Sequence, residues 1–414
     1  MESSIEPLSI KKNILWNSFG SLFYLCCQYL LSIIVVRLSA GFDDAGVLSL
    51  AMSVVGIFGT FANYKMGTYQ ISDIHHEHTL SEYYSFRLIT LGLAGIACVV
   101  YSLATCPISS LITIVLYFIY KAVGLVIDVL HGIDQQMRRM DYIGKSFIAQ
   151  GAVSISSFTI TYVFFSNLNL SIICMTAGVL AVLFFYDRPH SSQFESFHFG
   201  ISRNKVFFFL RISFSAVIAS VAASAIVSVP KQYLANMEGE AALGIYSSVA
   251  APALIIQMGA QYLYGPLLDI FPKLFFENKI KEFIQLLLKT SAGIVCVAFV
   301  CMVGLSLFGK FLLVLLFGAQ IADYTSLLPG VMITTFLTAF LWLFGDLLLT
   351  LRNFRAYFIG NIISLAAVAP LSYYCINLWG MNGVSIASSA ASIIGVAYLM
   401  LMLVICIRSS SVKE

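Results

Sequence analysis

The chain has 414 residues, of which 59% are hydrophobic and only 10% charged, with a formal net charge of +3. A soluble domain carries about a quarter of its residues as charges, so this composition excludes an ordinary water-soluble domain, and a net charge this small gives no reason to expect nucleic acid as a partner. Lipid as solvent accounts for it: the chain reads as an all-α, polytopic membrane protein.

A membrane-crossing helix needs about 20 mostly apolar residues. The first run, 14-38, follows Lys11 and Lys12. It is too long for the core of a secretory leader and lacks a small-x-small cleavage site, so it is a retained first helix. Further runs follow at 45-66, 88-104, 111-130, 147-165, 170-186, 207-229, 243-264, 290-309, 327-349, 356-378 and 383-407. Alternate connections, Arg87 among their residues, then collect 19 of the 23 Lys and Arg, whereas Arg37, Lys231 and Lys310 fall on the other side and Lys121 lies inside a span. The positive-inside rule therefore places both termini in the cytoplasm.

Within the spans, polar residues form stripes. The first carries Asn17, Ser21, Tyr24, Gln28 and Ser32 at helical spacing, the fifth Gln150, Ser154, Ser157 and Thr161, and the eighth Gln257, Gln261 and Tyr264. Such stripes suit a cavity that hydrogen-bonds a hydroxyl-rich ligand. Each also has a plainer reading as glue between helices, worth about 0.6 kcal/mol per hydrogen bond. Lys121 stands at mid-depth in the fourth span, where a cation costs roughly 2.5 to 3.5 kcal/mol. Asp128 follows two turns later on the same face, about 10 Å away and too far for a tight pair. Lys121 is the candidate for holding an anionic group. Asp128 is the candidate for exchanging protons or partnering another helix, and both also have a reading as charges paired for structure. Arg37 and Lys231 end the first and seventh spans and suggest a basic rim at the outer mouth, a structural role being as fitting.

The seventh span is built almost wholly of Ser and Ala and reads as a packing surface. Residues 276-288 alternate apolar and charged positions as an interfacial amphipathic helix does. Asp346 sits six residues before Arg352, which suggests a local ion pair. His75, His76 and His78 form the only histidine cluster, but no Cys accompanies them and metal binding is not expected there. The nine cysteines are odd in number and scattered through apolar runs, so they read as buried free thiols.

Two echoes suggest an internal repeat. Arg37 and then Ala45-Gly46-Val47-Leu48-Ser49 correspond to Lys231 and then Leu243-Gly244-Ile245-Tyr246-Ser247, and Arg139-Met140-Asp141-Tyr142 corresponds to Arg352-Asn353-Phe354-Arg355. The implied organisation is a six-helix bundle over 1-187, a cytoplasmic linker over 188-206 and a second six-helix bundle over 207-414. Parallel repeats of this kind occur in transporters, with the substrate site at their interface.

The segments Lys12-Asn13-Ile14-Leu15-Trp16-Asn17, Val36-Arg37 before Ala45-Gly46, and His131-Gly132-Ile133-Asp134-Gln135-Gln136 running into Arg139-Met140-Asp141-Tyr142-Ile143-Gly144 carry a resemblance. The chain resembles the O-antigen and capsule repeat-unit flippases of the multidrug/oligosaccharidyl-lipid/polysaccharide exporter superfamily. The resemblance implies a V-shaped, MATE-like pair of bundles in a bacterial inner membrane. It implies alternating access that carries an undecaprenyl-diphosphate-linked oligosaccharide between leaflets, with the polysaccharide polymerase and chain-length regulator as partners. A cationic cavity would fit the diphosphate, with Lys121, Arg37 and Lys231 as its donors here. Related lipid-linked precursor flippases carry an arginine early in the first helix, where this chain has Asn17, Ser21 and Tyr24. No cofactor is expected. No GxxxxGK[ST] phosphate loop is present, so energy must come from an ion gradient, proton and sodium both being open, or from consumption of product outside. Two rivals remain. A drug exporter of the same superfamily would call for more intramembrane carboxylates than Asp128 and Asp346. A membrane polymerase or acyltransferase would need a larger outer loop than 309-326.

Overall fold

The computed structural model describes residues 6–73 and 77–411. Among them eleven helices are long and apolar enough to cross a membrane, and one further pair, bent by 48° at a short break, passes the same test taken together, for up to twelve. The chain is therefore an all-α, multi-pass membrane protein. In order, the helices are α1 (Ile10–Leu38), α2 (Asp43–Asn63), α3 (Met66–Ser72), α4 (Leu80–Thr105), α5 (Ile108–Gln136), α6 (Met140–Phe165), α7 (Leu168–Val182), α8 (Arg188–Ser191), α9 (Arg203–Glu238), α10 (Glu240–Ala250), α11 (Leu254–Tyr264), α12 (Ile270–Phe276), α13 (Ile280–Phe317), α14 (Leu328–Thr350), α15 (Phe354–Trp379) and α16 (Met381–Ser411).

Local chemistry sets several of these boundaries. Thr79 and Glu82 form a capping box that starts α4 at residue 80, eight residues before the apolar run expected from sequence. Asn167 and Asn353 cap α7 and α15 by accepting hydrogen bonds from Leu170 N and Ala356 N. The expected eighth span is not one helix: Pro252 has no N–H to continue the ladder, and residues 253 to 255 turn on i to i−3 hydrogen bonds between α10 and α11.

Three further expectations are corrected. The amphipathic helix over 276-288 does not exist as a unit, because α12 ends at Phe276 and Asn278 takes a left-handed conformation (φ 59°). Residues 280–288 are instead the first turns of the 38-residue α13. The outer loop over 309-326 is helical, since α13 runs to Phe317 and a 3₁₀ segment occupies Ala319–Leu327. The cysteines are all free, but Cys26 and Cys296 are exposed rather than buried.

The chain divides into two compact units, Met1–Ala40 with Val54–Val217, and Gly41–Ser53 with Ile218–Glu414. One division falls between α1 and α2, and the other two inside α2 and α9. In the first unit α1 lies against α6 with glycine on glycine: a Cβ on Gly20 would strike the Gly144 backbone, and one on Gly144 would strike the carbonyl of Trp16. Buried Asn13 locks the register at one end, its Oδ1 accepting from Met140 N at 2.9 Å. The segment after α8 is not a loose tether. Glu195, His198, Gly200 and Lys205 bond successively to Leu80 N, Ser81, Ser85 and Glu82, which fastens it along the first two turns of α4.

The second unit has a continuous apolar core including Tyr264, Phe271, Phe283, Phe344, Leu347 and Tyr357. The first turns of α2 belong to this unit and cross α10, with Gly46 against the backbone of Glu240 and Gly244 against the carbonyl of Phe42. Ser49 and Ser247, equivalent in the first repeat echo, share a hydrogen bond of 2.5 Å.

The repeat is written in the backbone as well. Arg138 and Arg352 both take φ near +60° and end α5 and α14 with the same 6→1 bond, from Arg139 N to Asp134 O and from Asn353 N to Leu348 O. Ser166 and Gly380 repeat the left-handed φ at the ends of α6 and α15. The spacing is 214 residues in both cases (352 − 138, 380 − 166), so Arg138 rather than Arg139 is the mate of Arg352.

These glycine crossings generate a test. Gly144→Val and Gly46→Val each place a methyl-bearing carbon into backbone that cannot swing aside, at a cost of about 1–3 kcal/mol or more. Each is expected to lower the melting temperature of the detergent-solubilised protein. Gly92→Ala, whose added carbon meets nothing within 4 Å, is expected to leave it unchanged or slightly higher.

Candidate functional site

Four residues of α5, Lys121, Gly124, Asp128 and His131, recur at steps of three and four and so share one face. In the first unit that face borders a cavity of about 240 Å³, closed on other sides by Tyr24 of α1, Asn63 of α2, Phe147 and Gln150 of α6 and Val179 of α7. Lys121 is exposed although it stands in the middle of a span, which is how a side chain bordering open space behaves. It has no ion-pair or hydrogen-bond partner among the described residues, and the charge acting on it is that of Asp128 further along the same face.

Asp128 is held from another helix. Arg87 of α4, fully buried, places Nη2 3.3 Å from Asp128 Oδ2. It also donates from Nη1 to Asn63 Oδ1 at 3.0 Å and to Ala62 O at 3.4 Å. Sequence reading assigned Arg87 to a cytoplasmic connection; the structure places it two turns inside α4, because the capping box begins that helix at Leu80. The Asp128 side chain remains 46% exposed toward the cavity.

The polar stripes of the first and fifth spans meet at Tyr120, a residue that periodicity did not single out. Gln28 Nε2 donates to Tyr120 Oη at 2.8 Å, while the hydroxyls of Tyr24 and Ser154 each lie 3.4 Å from it. Gln150 Nε2 donates to Ser146 Oγ at 2.9 Å. Tyr24 and Gln150 line the cavity, whereas Gln28 and Ser154 act behind Tyr120. Asn17 is half-buried and is not among the lining residues, and Arg37 is exposed at the far end of α1.

The remaining candidates belong to the second unit. Gln257 is buried and donates to Thr338 Oγ1 at 3.1 Å, so it acts as glue between helices, while Gln261 is exposed. Tyr264 donates to Asp346 Oδ2 at 2.9 Å, which gives Asp346 a partner other than the one expected at Arg352. Lys231 is half-buried after Pro230.

At one end of the cavity stands His131, beyond the limit set for the fourth span at residue 130. Extending the Lys121–Asp128 stripe by three residues would have found it. Its Nε2 lies 3.2 Å from Asp187 Oδ1, and its ring packs edge-on to Phe147. Of the histidine cluster, His75 and His76 lie outside the described residues. His78 is packed among Tyr69, Tyr83, Phe208 and Phe209. No group of three metal-ligating side chains occurs among the described residues.

Outside the spans, two charged groups are tuned by their surroundings. Hydrogen bonding to Asp141, at 2.8 and 2.9 Å, raises the Arg139 guanidinium above its usual range against the opposing effect of burial. Burial pushes the Asp73 carboxyl up, but hydrogen bonds donated by Glu77 N, Tyr83 Oη and His78 N outweigh it, and the net position is below the usual carboxylate range.

Comparison with known proteins agrees with this architecture. Residues 10–274 match the family described as "Polysaccharide biosynthesis protein", and the chain belongs to that family. It is 26% identical over 321 residues to the capsular polysaccharide biosynthesis protein CapF of Staphylococcus aureus, covering 75% of this chain and 78% of that one. Its fold is that of the lipid II flippase MurJ in an inward closed conformation (TM-score 0.70, 14% identity, 96% of this chain and 90% of that chain). The same fold is seen in an inward-facing multidrug resistance MATE family transporter of the MOP superfamily (TM-score 0.66, 15% identity, 93% and 95%).

The Arg87–Asp128 pair is asymmetric, and its variants are expected to be so. Asp128→Ala strands a fully buried guanidinium and is expected to destabilise by about 3–5 kcal/mol. Arg87→Met is milder because the abandoned carboxylate is half-exposed, and combining the two recovers most of the loss; melting temperatures of the three variants decide this. For Asp73, a depressed folded-state value means stabilisation that is complete above the unfolded value of roughly 4 and lost as pH falls through the folded one. Asp73→Asn is therefore expected to melt below wild type at neutral pH, with the gap closing only under acid conditions.

Proposed function

We propose that this protein is a flippase that moves an undecaprenyl-diphosphate-linked oligosaccharide from the inner to the outer leaflet of a bacterial cytoplasmic membrane, with both termini in the cytoplasm. A sugar headgroup cannot cross hydrocarbon without losing hydrogen bonds that each cost several kcal/mol, and a polar recess inside a helix bundle removes that barrier. The observation that carries this reading is Lys121: a cation without an ion-pair partner among the described residues, bordering a cavity inside a chain of the polysaccharide biosynthesis family.

In this reading the diphosphate binds Lys121 by charge-assisted hydrogen bonds, and Tyr24, Tyr120 and Gln150 offer hydroxyl and amide groups beside it. At about 240 Å³ the cavity matches the diphosphate in size better than it does a whole oligosaccharide. The sugars and the polyprenyl tail therefore extend beyond it. The polysaccharide polymerase and chain-length regulator are the proposed downstream partners, and transport rather than bond chemistry is the activity.

The test is genetic and biochemical together. Deleting the gene is expected to trap lipid-linked repeat units on the inner leaflet, and the wild-type gene to release them. Lys121→Ala, which removes no structural pair, is expected to reach the membrane in normal amount. It should bind undecaprenyl diphosphate about ten- to a hundredfold more weakly, with Lys121→Arg retaining part of the affinity. Surface glycan at the wild-type level after deletion would refute the flippase reading. Full activity of Lys121→Ala would remove Lys121 from it.

A further inference from the structure

The second membrane segment breaks where it meets the cavity. Asp43–Ser72 is long and apolar enough to cross a membrane as one span, yet α2 ends at Asn63, and Tyr64 and Lys65 both take a left-handed conformation (φ 51° and 57°) before α3 begins. Neither is a glycine, so the break runs against the backbone's own preference. Side chains hold it in place: Tyr64 Oη donates to Leu210 O at 2.9 Å, and Ala62 O accepts from Thr90 Oγ1 at 2.8 Å and from Arg87 Nη1 at 3.4 Å. Irregular backbone at membrane depth is tolerated where it is buried in protein or lines a cavity. Asn63, the last residue before the break, lines the cavity.

The neighbours of Asn63 along the chain touch both charged residues of α5. A Cβ on Gly59, one turn earlier, would stand 3.8 Å from Lys121 Cγ, and one on Gly67 of α3 would stand 3.3 Å from Asp128 Oδ2. Arg87 then fixes how the Asn63 amide is turned. Its Nη1 donates to Asn63 Oδ1 at 3.0 Å. A guanidinium has five donors and no acceptor, so the amide oxygen must face Arg87 and the NH2 group must point away from it. Asn63 is half-buried, and its Nδ2 has no hydrogen-bond partner among the described residues. The same guanidinium holds Asp128, so behind the amide stands a compensated ion pair and not a bare carboxylate.

We propose that Asn63 is a binding residue of this cavity, its Nδ2 donating to an oxygen of the anionic group that Lys121 holds. That the group is a phosphate rests on the function proposed above. The donor assignment rests on the Arg87–Asn63 bond and on Asn63 lining the same cavity as Lys121. Lys121 brings a charge on a flexible stem, whereas Asn63, gripped from behind, brings direction. A side chain already fixed by one hydrogen bond loses little freedom when a ligand takes the other. A lysine and a fixed amide, both donating, match a group rich in acceptor oxygens.

The test is solid-state NMR of the full-length protein in lipid vesicles, its asparagine side chains labelled with nitrogen-15, before and after addition of undecaprenyl diphosphate. Asn63 is the one asparagine among the described residues that line the cavity. The expected result is a single amide nitrogen dephased by phosphorus once the ligand is added and not before. Asn63→Leu is expected to remove that signal and to bind undecaprenyl diphosphate about tenfold more weakly. Binding by wild type without dephasing would overturn the assignment and leave the diphosphate reading standing, as would wild-type affinity in Asn63→Leu. Dephasing of equal size before the ligand is added would give the site to the phosphate of a bilayer lipid, and overturn the assignment as well. Absence of any binding by wild type would instead refute the diphosphate reading, and the part of Asn63 with it. The wild-type spectra decide the matter even where the variant fails to fold.

Discussion

A charge within a membrane-spanning bundle must find a partner or open space, and the pair Arg87–Asp128 meets that constraint for three helices at once. The guanidinium is wholly enclosed and donates its hydrogen bonds to α2 and α5. Asp128, held by Arg87 and two turns along α5 from Lys121, does not form a close pair with that lysine. The outcome is a cavity bordered by one lysine with no ion-pair partner among the described residues, beside a structural ion pair that need not touch any ligand.

Packing in each unit depends on a second constraint, the absence of side chains where helices cross. Lipid supplies no hydrophobic drive for helices to associate, so association relies on close approach and on hydrogen bonds. Gly20 with Gly144 in the first unit and Gly46 with Gly244 in the second are places where backbone meets backbone. The matching left-handed residues 214 positions apart show that corresponding helices of the two halves end in the same way. Their contents have diverged: the described cavity and its cation belong to the first unit, whereas in the second unit Gln257 and Tyr264 are spent on internal hydrogen bonds.

Tyr120 and His131 give the cavity its chemical character beyond charge. A phenol that gathers Gln28, Tyr24 and Ser154 presents a preorganised hydroxyl network, and such networks lose little freedom when a ligand joins them. His131, its Nε2 3.2 Å from the buried carboxylate of Asp187, adds an imidazole to the cavity wall.

Much of the fold was legible in the residue order. Hydropathy and the need to satisfy every backbone group in lipid leave helices as the only solution for such apolar runs, which settles the class. The Ala45-Gly46 and Leu243-Gly244 echoes, and the stripe from Tyr24 to Gln28, were visible because helical periodicity is a local property. Arg87 was not, since a cation after a polar stretch reads as a loop unless the Thr79–Glu82 capping box is recognised. Nor were Pro252's break, the fastening of residues 195–205 to α4, or the approach of Asp187 to His131 across 56 positions. Residue order by itself determined which segments enter the membrane, because that depends on each segment's own transfer from water. Only the tertiary structure decided which charges neutralise one another and which is left facing the cavity, because pairing depends on distances between segments that no single helix contains.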